Sequence, residues 1–161
     1  MATPYADTYI PVTPIGSVSL VDTEGLGMIK QQAGNLYRWV STDVDVVANR
    51  ICMVATYDSP FLVTDVMANT AAAISIMGMA NHAALGDANG TTYFWLQISG
   101  LCAGGGQSAG APAAGEYVVP ELNGNLIAMS AGEEHQVVGC CHTAAAATSG
   151  NPMTVKLQGL V

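Results

Sequence analysis

The run Tyr93-Phe94-Trp95-Leu96-Gln97-Ile98-Ser99-Gly100 constrains the fold more than any other segment. Side chains alternate across a strand, so Phe94, Leu96 and Ile98 share one face while Tyr93, Trp95, Gln97 and Ser99 share the other. The first face is expected in the core. The second carries two large amphipathic rings followed by polar groups, which suits a sheet face covered in part by a loop or a neighbouring subunit. Upstream, Asn89-Gly90 offers the positive φ that a hairpin entry favours.

Other strands follow the same reading. Residues 26–40 read as strand, turn, strand, with Gly34-Asn35 as the hinge. Residues 50–57 form a third strand that Ser59-Pro60 closes, and 61–67 give another. In 68–85 the alanines and methionines favour helix, but the alternation of Ile74 and Ile76 and the flanking strands favour β. Met67, Met77 and Met79 read as core filler. Residues 103–116, rich in Gly and Ala, read as a loop; their Gly104-Gly105-Gly106 lacks the Gly-Lys-Ser/Thr ending of a phosphate loop. Short strands at 117–119, 125–129, 136–142 and 153–158 complete an all-β chain, an antiparallel β-sandwich or β-barrel. Pro4, Pro11 and Pro14 break any helix at the start. The organisation is therefore an extended N-terminal arm over residues 1–24 and a single β-rich domain over 25–161.

A chain of 161 residues can remove roughly 70 % of its unfolded surface from water, enough for one real core. Charged residues are only 10 % against 50 % hydrophobic, so little charge is available to cover the surface, and exposed apolar area implies a partner or self-assembly. The net charge is −8, and Lys30, Arg38, Arg50 and Lys156 form no cluster, which disfavours nucleic acid as a partner. No run is apolar enough for a membrane span, and the start lacks the pattern of a signal peptide, so a chain made in the cytosol is expected.

No enzyme chemistry is expected, and no residue is expected to be catalytic, cofactor-binding or metal-binding. Cys52, Cys102, Cys140 and Cys141 have no zinc-ligand spacing, and Cys140-Cys141-His142 reads as strand rather than as an activated thiol. His82, His135 and His142 are dispersed. Glu133-Glu134-His135 reads as a solvated turn, and Asp43 with Asp45 as a solvent-facing pair on one strand face.

The segment from Tyr93 to Gly100 also resembles the aromatic-Trp-aliphatic-Gln-aliphatic-x-Gly strand of capsid decoration (cement) and head structural proteins of tailed bacteriophages. Gly34-Asn35-Leu36-Tyr37-Arg38-Trp39-Val40 is similar to their early Gly-Asn-x-Tyr-x-x-Val strand. Residues 126–131 resemble their strand running into an Ala-rich turn, and 145–161 their terminal strand. The resemblance implies a virion protein on the capsid exterior, made in the host bacterial cytoplasm, that reinforces contacts between major capsid protein subunits as a homo-oligomer, a trimer first. The alternative is a head-fibre or tail-associated host- or glycan-binding module, with Trp39, Tyr93 and Trp95 stacking on sugar rings.

Overall fold

The computed structural model describes residues 11–65, 76–84, 86, 90–105, 112–121, 124–132, 137–143 and 153–158. Within them the chain is all β. Its strands are β1 (Val18–Ser19), β2 (Ile29–Gln32), β3 (Asn35–Thr42), β4 (Arg50–Thr56), β5 (Ser59–Thr64), β6 (Ile76–Ala80), β7 (Thr92–Gly105), β8 (Tyr117–Pro120), β9 (Leu126–Ala128), β10 (Gly139–Thr143) and β11 (Met153–Leu157). Residues 1–10 and 66–75, with Met67, and 133–136, with His135, lie outside the described residues.

Neighbouring strands run β2-β3-β5-β4-β6-β7-β11-β10-β8-β9, and β3 also pairs β7. That last pairing closes β3, β5, β4, β6 and β7 into a five-stranded barrel, which removes their free edges. All pairings are antiparallel except β3 with β5, which meet parallel at Ser41 and Leu62, so the expected antiparallel sheet is a mixed one. The parallel contact arises because β4 and β5 form a hairpin inserted between β3 and β6.

Alternation sorts the side chains. Val40, Cys52, Val63, Met77, Phe94 and Leu96 pack together inside the barrel, with Val46 and Ala84 bridged across one end. The opposite face of β4 and β6 presents Ile51 and Met79 to Cys102, Val118, Leu126, Cys141, Met153, Val155 and Leu157 of the second sheet. Phe94, Leu96 and Ile98 are buried, as their alternation requires. Two cores therefore share β4 and β6 as a common wall.

β7 belongs to both sheets. Its first half pairs β3 as far as Ser99, and from Gly100 onward it pairs β11. Gly100 has φ +98°, a left-handed conformation that L residues rarely adopt, and a Cβ there would strike the Asn35 side chain. The glycine that ends the aromatic strand is thus the point where the chain leaves the barrel.

Several boundaries differ from those read from sequence. The turn between β2 and β3 is Ala33-Gly34, both at positive φ, with Gln32 paired to Asn35; Asn35 already belongs to β3. Tyr57-Asp58 makes the next turn, so Ser59-Pro60 opens β5 instead of closing β4. β7 runs to Gly105, into the stretch assigned to a loop. Residues 76–80 are strand, as favoured, and Met77 and Met79 are core.

Candidate contact surface

The aromatic outer face of β3 and β7 is already occupied. Trp39 and Trp95 are fully buried, their rings 5.1 Å apart and tilted by 60°, and Tyr93 stacks on Trp39 at 6.4 Å. Residues 13–30 cover them. The Thr13 carbonyl accepts the Trp95 indole N–H at 2.9 Å and the Lys30 ammonium at 2.9 Å, and Lys30 lies 5.5 Å from the centre of the Trp95 ring. The Trp39 indole donates to Asp22 at 2.9 Å, and Glu24, itself buried, accepts the Thr13 backbone N–H. β1 pairs Val18 and Ser19 with Phe94 and Tyr93. Residues 11–24 of the arm therefore fold back on their own domain.

This overturns Trp39 and Trp95 as contact or sugar-stacking residues: each ring has lost its exposed face to the arm, and each indole N–H is spent within the chain. The sequence signal was sound for an occluded aromatic face; the cover is the chain's own N-terminal segment.

Exposed apolar side chains move instead to the outside of that cover. Val12, Val18, Leu20, Val21, Leu26 and Ile29 are all exposed, on the arm and its continuation into β2. Among the described residues the most exposed aromatic is Tyr57, at 89 %, on the tip of the β4–β5 hairpin.

Beside the hairpin lies a groove of about 440 Å³ between the turn around Leu26 and the start of β5. Leu26, Pro60, Phe61 and Leu62 form its apolar walls, Ser41, Ser59 and Thr91 supply hydroxyls, and Asp43 and Asp58 supply carboxylates. Phe61 is held against the backbone of Gly27, where a Cβ would come within 2.6 Å of the ring. Asp43 is exposed, as expected, but follows the end of β3 instead of sharing a strand with Asp45, which accepts the Gly86 backbone N–H at 3.1 Å. Local sequence pattern had no means of joining Asp43 to Asp58, because the groove forms only when the hairpin returns beside β3.

The two described histidines sit apart. His82 meets the edge of Phe94 at 5.7 Å, and neither ring nitrogen has a hydrogen-bond partner among the described residues. Burial holds its imidazole below the ordinary value. His142 is exposed at the end of β10. The four cysteines are free thiols: Cys52, Cys102 and Cys141 are buried and Cys140 half-buried. Burial raises the Cys52 thiol, pushes Cys102 up to about 12, and raises Cys141 with help from Cys140 and Glu116. Cys140 and Cys141 face opposite sides of β10, as alternation requires. Among the described residues no group of three or more His, Cys, Asp or Glu side chains is placed to hold a metal ion, and no helix is long and apolar enough to cross a membrane.

The architecture has a solved counterpart. It is similar to the N base of the head fibre protein gp8.5 of bacteriophage phi29, with a TM-score of 0.50 and 10 % sequence identity. The match covers 77 % of this chain and 94 % of that one. At such identity the likeness is one of fold. No family model matches the sequence, and neither does any curated protein.

Proposed function

We propose that this protein is a structural component of a bacteriophage head, seated on the capsid exterior as a decoration protein that reinforces contacts between major capsid protein subunits. The carrying observation is the fold shared with a head fibre base over nearly the whole of that domain. The closed barrel, the scarcity of charge and the exposed apolar side chains from Val12 to Ile29 support a rigid body that works by contact. A homotrimer, made in the host cytoplasm and added to the shell, is the assembly this reading prefers.

The same observation favours a second reading, the base of a head fibre, because the solved counterpart is itself a fibre base. Adding purified protein to undecorated heads separates the two. Bound copies that raise the temperature at which heads release DNA support a decoration protein; bound copies without that gain support a fibre base. Absence of binding overturns both.

A further inference from the structure

We infer that the groove between the Leu26 turn and the β4–β5 hairpin is a docking site for a lysine or arginine side chain of the protein shell on which this chain sits. The inference rests on the head-surface reading above and names the chemistry of the contact.

Charge and partnering carry it. Most acidic side chains among the described residues are engaged within the chain: Asp22 with Trp39, Glu24 with Thr13, Asp45 with Gly86, Asp65 with Val47 and Arg50, and Glu116 with Ala113. Asp43, Asp58 and Glu121 make no such bond among the described residues, and of these Asp43 and Asp58 open on one groove. No basic side chain lines it among those residues: Lys30 is held on Trp95 and the Thr13 carbonyl, and Arg50 on Asp65 at 3.4 Å. A chain of net charge −8 repels anionic ligands from such a place and draws cations to it.

The walls select among cations. A hydrated metal ion gains nothing from Leu26, Pro60 and Phe61, whereas the alkyl stem of Lys or Arg lies along apolar surface while its charged end stays wet beside carboxylates. The hydroxyls of Ser59 and Thr91 add acceptors for the remaining N–H groups. Tyr57, fully presented on the adjoining hairpin tip, offers a ring over which a guanidinium can stack.

The test begins without heads. Purified protein is titrated with Nα-acetyl-arginine amide, Nα-acetyl-lysine amide and, as the apolar control, Nα-acetyl-norleucine amide, while backbone NMR resonances are followed. Shifts confined to residues 26, 41–43, 57–62 and 91 with the two cationic probes, weakened at least fivefold in the Asp43→Asn/Asp58→Asn variant, are expected. Equal shifts with norleucine, or shifts scattered over the surface, overturn the inference. Spermidine, added as a competitor, distinguishes a free polyamine as occupant: binding far tighter than either amino-acid probe counts against a protein side chain. On heads, the double variant is expected to bind at least tenfold more weakly than the unaltered chain, with a flatter dependence on salt. Equal uptake of both proteins sinks the docking role while leaving the head-surface reading intact; uptake of neither sinks that reading, and the titration then decides the groove alone.

Discussion

The Asn35 side-chain carbonyl accepts the backbone N–H of Leu101 at 3.0 Å, tying the first residue of β3 to β7 just past the point where β7 leaves the barrel. The Asn35 amide in turn donates to the Tyr37 hydroxyl at 3.3 Å, and Gly100, at φ +98°, leaves the space that Asn35 fills. Asn35→Ala should cost about 1 kcal/mol, the loss of a partly exposed hydrogen bond. Gly100→Ala should cost about 2 kcal/mol through backbone strain alone, and more through collision with Asn35. Because the first change removes the atom the second strikes, the double variant should lose less than the sum, a non-additivity that urea denaturation of the four proteins measures.

The arm is held by few bonds, and one of them can be removed without emptying the core. Trp95→Phe keeps an aromatic ring under the arm but deletes the N–H that the Thr13 carbonyl accepts. A loss of about 1 kcal/mol is expected. Native-state hydrogen exchange should show Ser17 and the residues around β1 losing protection, while Val40 and Leu96 in the barrel keep theirs. Uniform loss across both would mean that the arm and the barrel open as one unit.

How far this was legible in sequence depends on the range of the interaction. The alternation of Phe94, Leu96 and Ile98 is local, and it placed those side chains in the core correctly. The burial of Trp39 and Trp95 under Thr13, Asp22 and Lys30 is not local, because it joins the arm to strands far along the chain. Sandwich and barrel stayed open in the sequence for the same reason, since closure depends on the β4–β5 hairpin entering between β3 and β6. Gly78 is required by close packing against β7, where a Cβ would strike the Gln97 backbone carbonyl. Asp58 had no periodicity to mark it, and its meeting with Asp43 in one groove is purely tertiary.

Acid should loosen the mouth of the barrel through His82. Its folded pKa is lowered by burial, so between the ordinary value of 6.5 and that lower value the unfolded chain binds more protons than the folded one. Stability should therefore be full above about pH 7 and fall as pH drops through 6.5 toward the folded pKa. His82→Phe preserves the edge contact with Phe94 and removes the proton uptake. Unfolding free energies measured between about pH 7 and pH 5 should slope for the unaltered protein and lie flatter for the variant; parallel slopes would assign the effect to other groups.

Thiol chemistry should separate the four cysteines by burial. In the native protein near pH 7, iodoacetamide should modify the half-buried Cys140 first, at no more than the rate of an ordinary exposed thiol. Cys52, Cys102 and Cys141 should stay protected, because each is buried and its thiolate disfavoured. Peptide mapping by mass spectrometry at several times checks the order. Rapid labelling of Cys141, next to the exposed His142, would instead reveal an activated thiol and reopen the case for nucleophilic chemistry.

The seam where β6 meets β7 should be a sterically demanding part of the barrel. β6 and β7 meet at Met79 and Gln97, and the neighbouring Gly78 lies so close to β7 that a Cβ would strike the Gln97 backbone carbonyl and come within 3.1 Å of the Leu96 side chain. Buried Gln97 reinforces the crossing by accepting the Asn81 side-chain amide at 2.6 Å, while Asn81 accepts the Cys102 thiol at 2.8 Å. Gly78 has no positive φ, so Gly78→Ala tests packing alone; Gly90, at φ +83° with nothing near its Cβ position, tests conformation alone. Gly90→Ala should cost about 1 kcal/mol, the strain of an L residue in a left-handed conformation. Gly78→Ala, where a backbone must yield, should cost about 3 kcal/mol and separate β6 from β7. Guanidinium denaturation gives the two costs, and weakened hydrogen-exchange protection of the Asn81 and Gln97 side-chain amides in Gly78→Ala alone would locate the damage at the seam; equal costs for the two variants would show that β6 can retreat without opening the barrel.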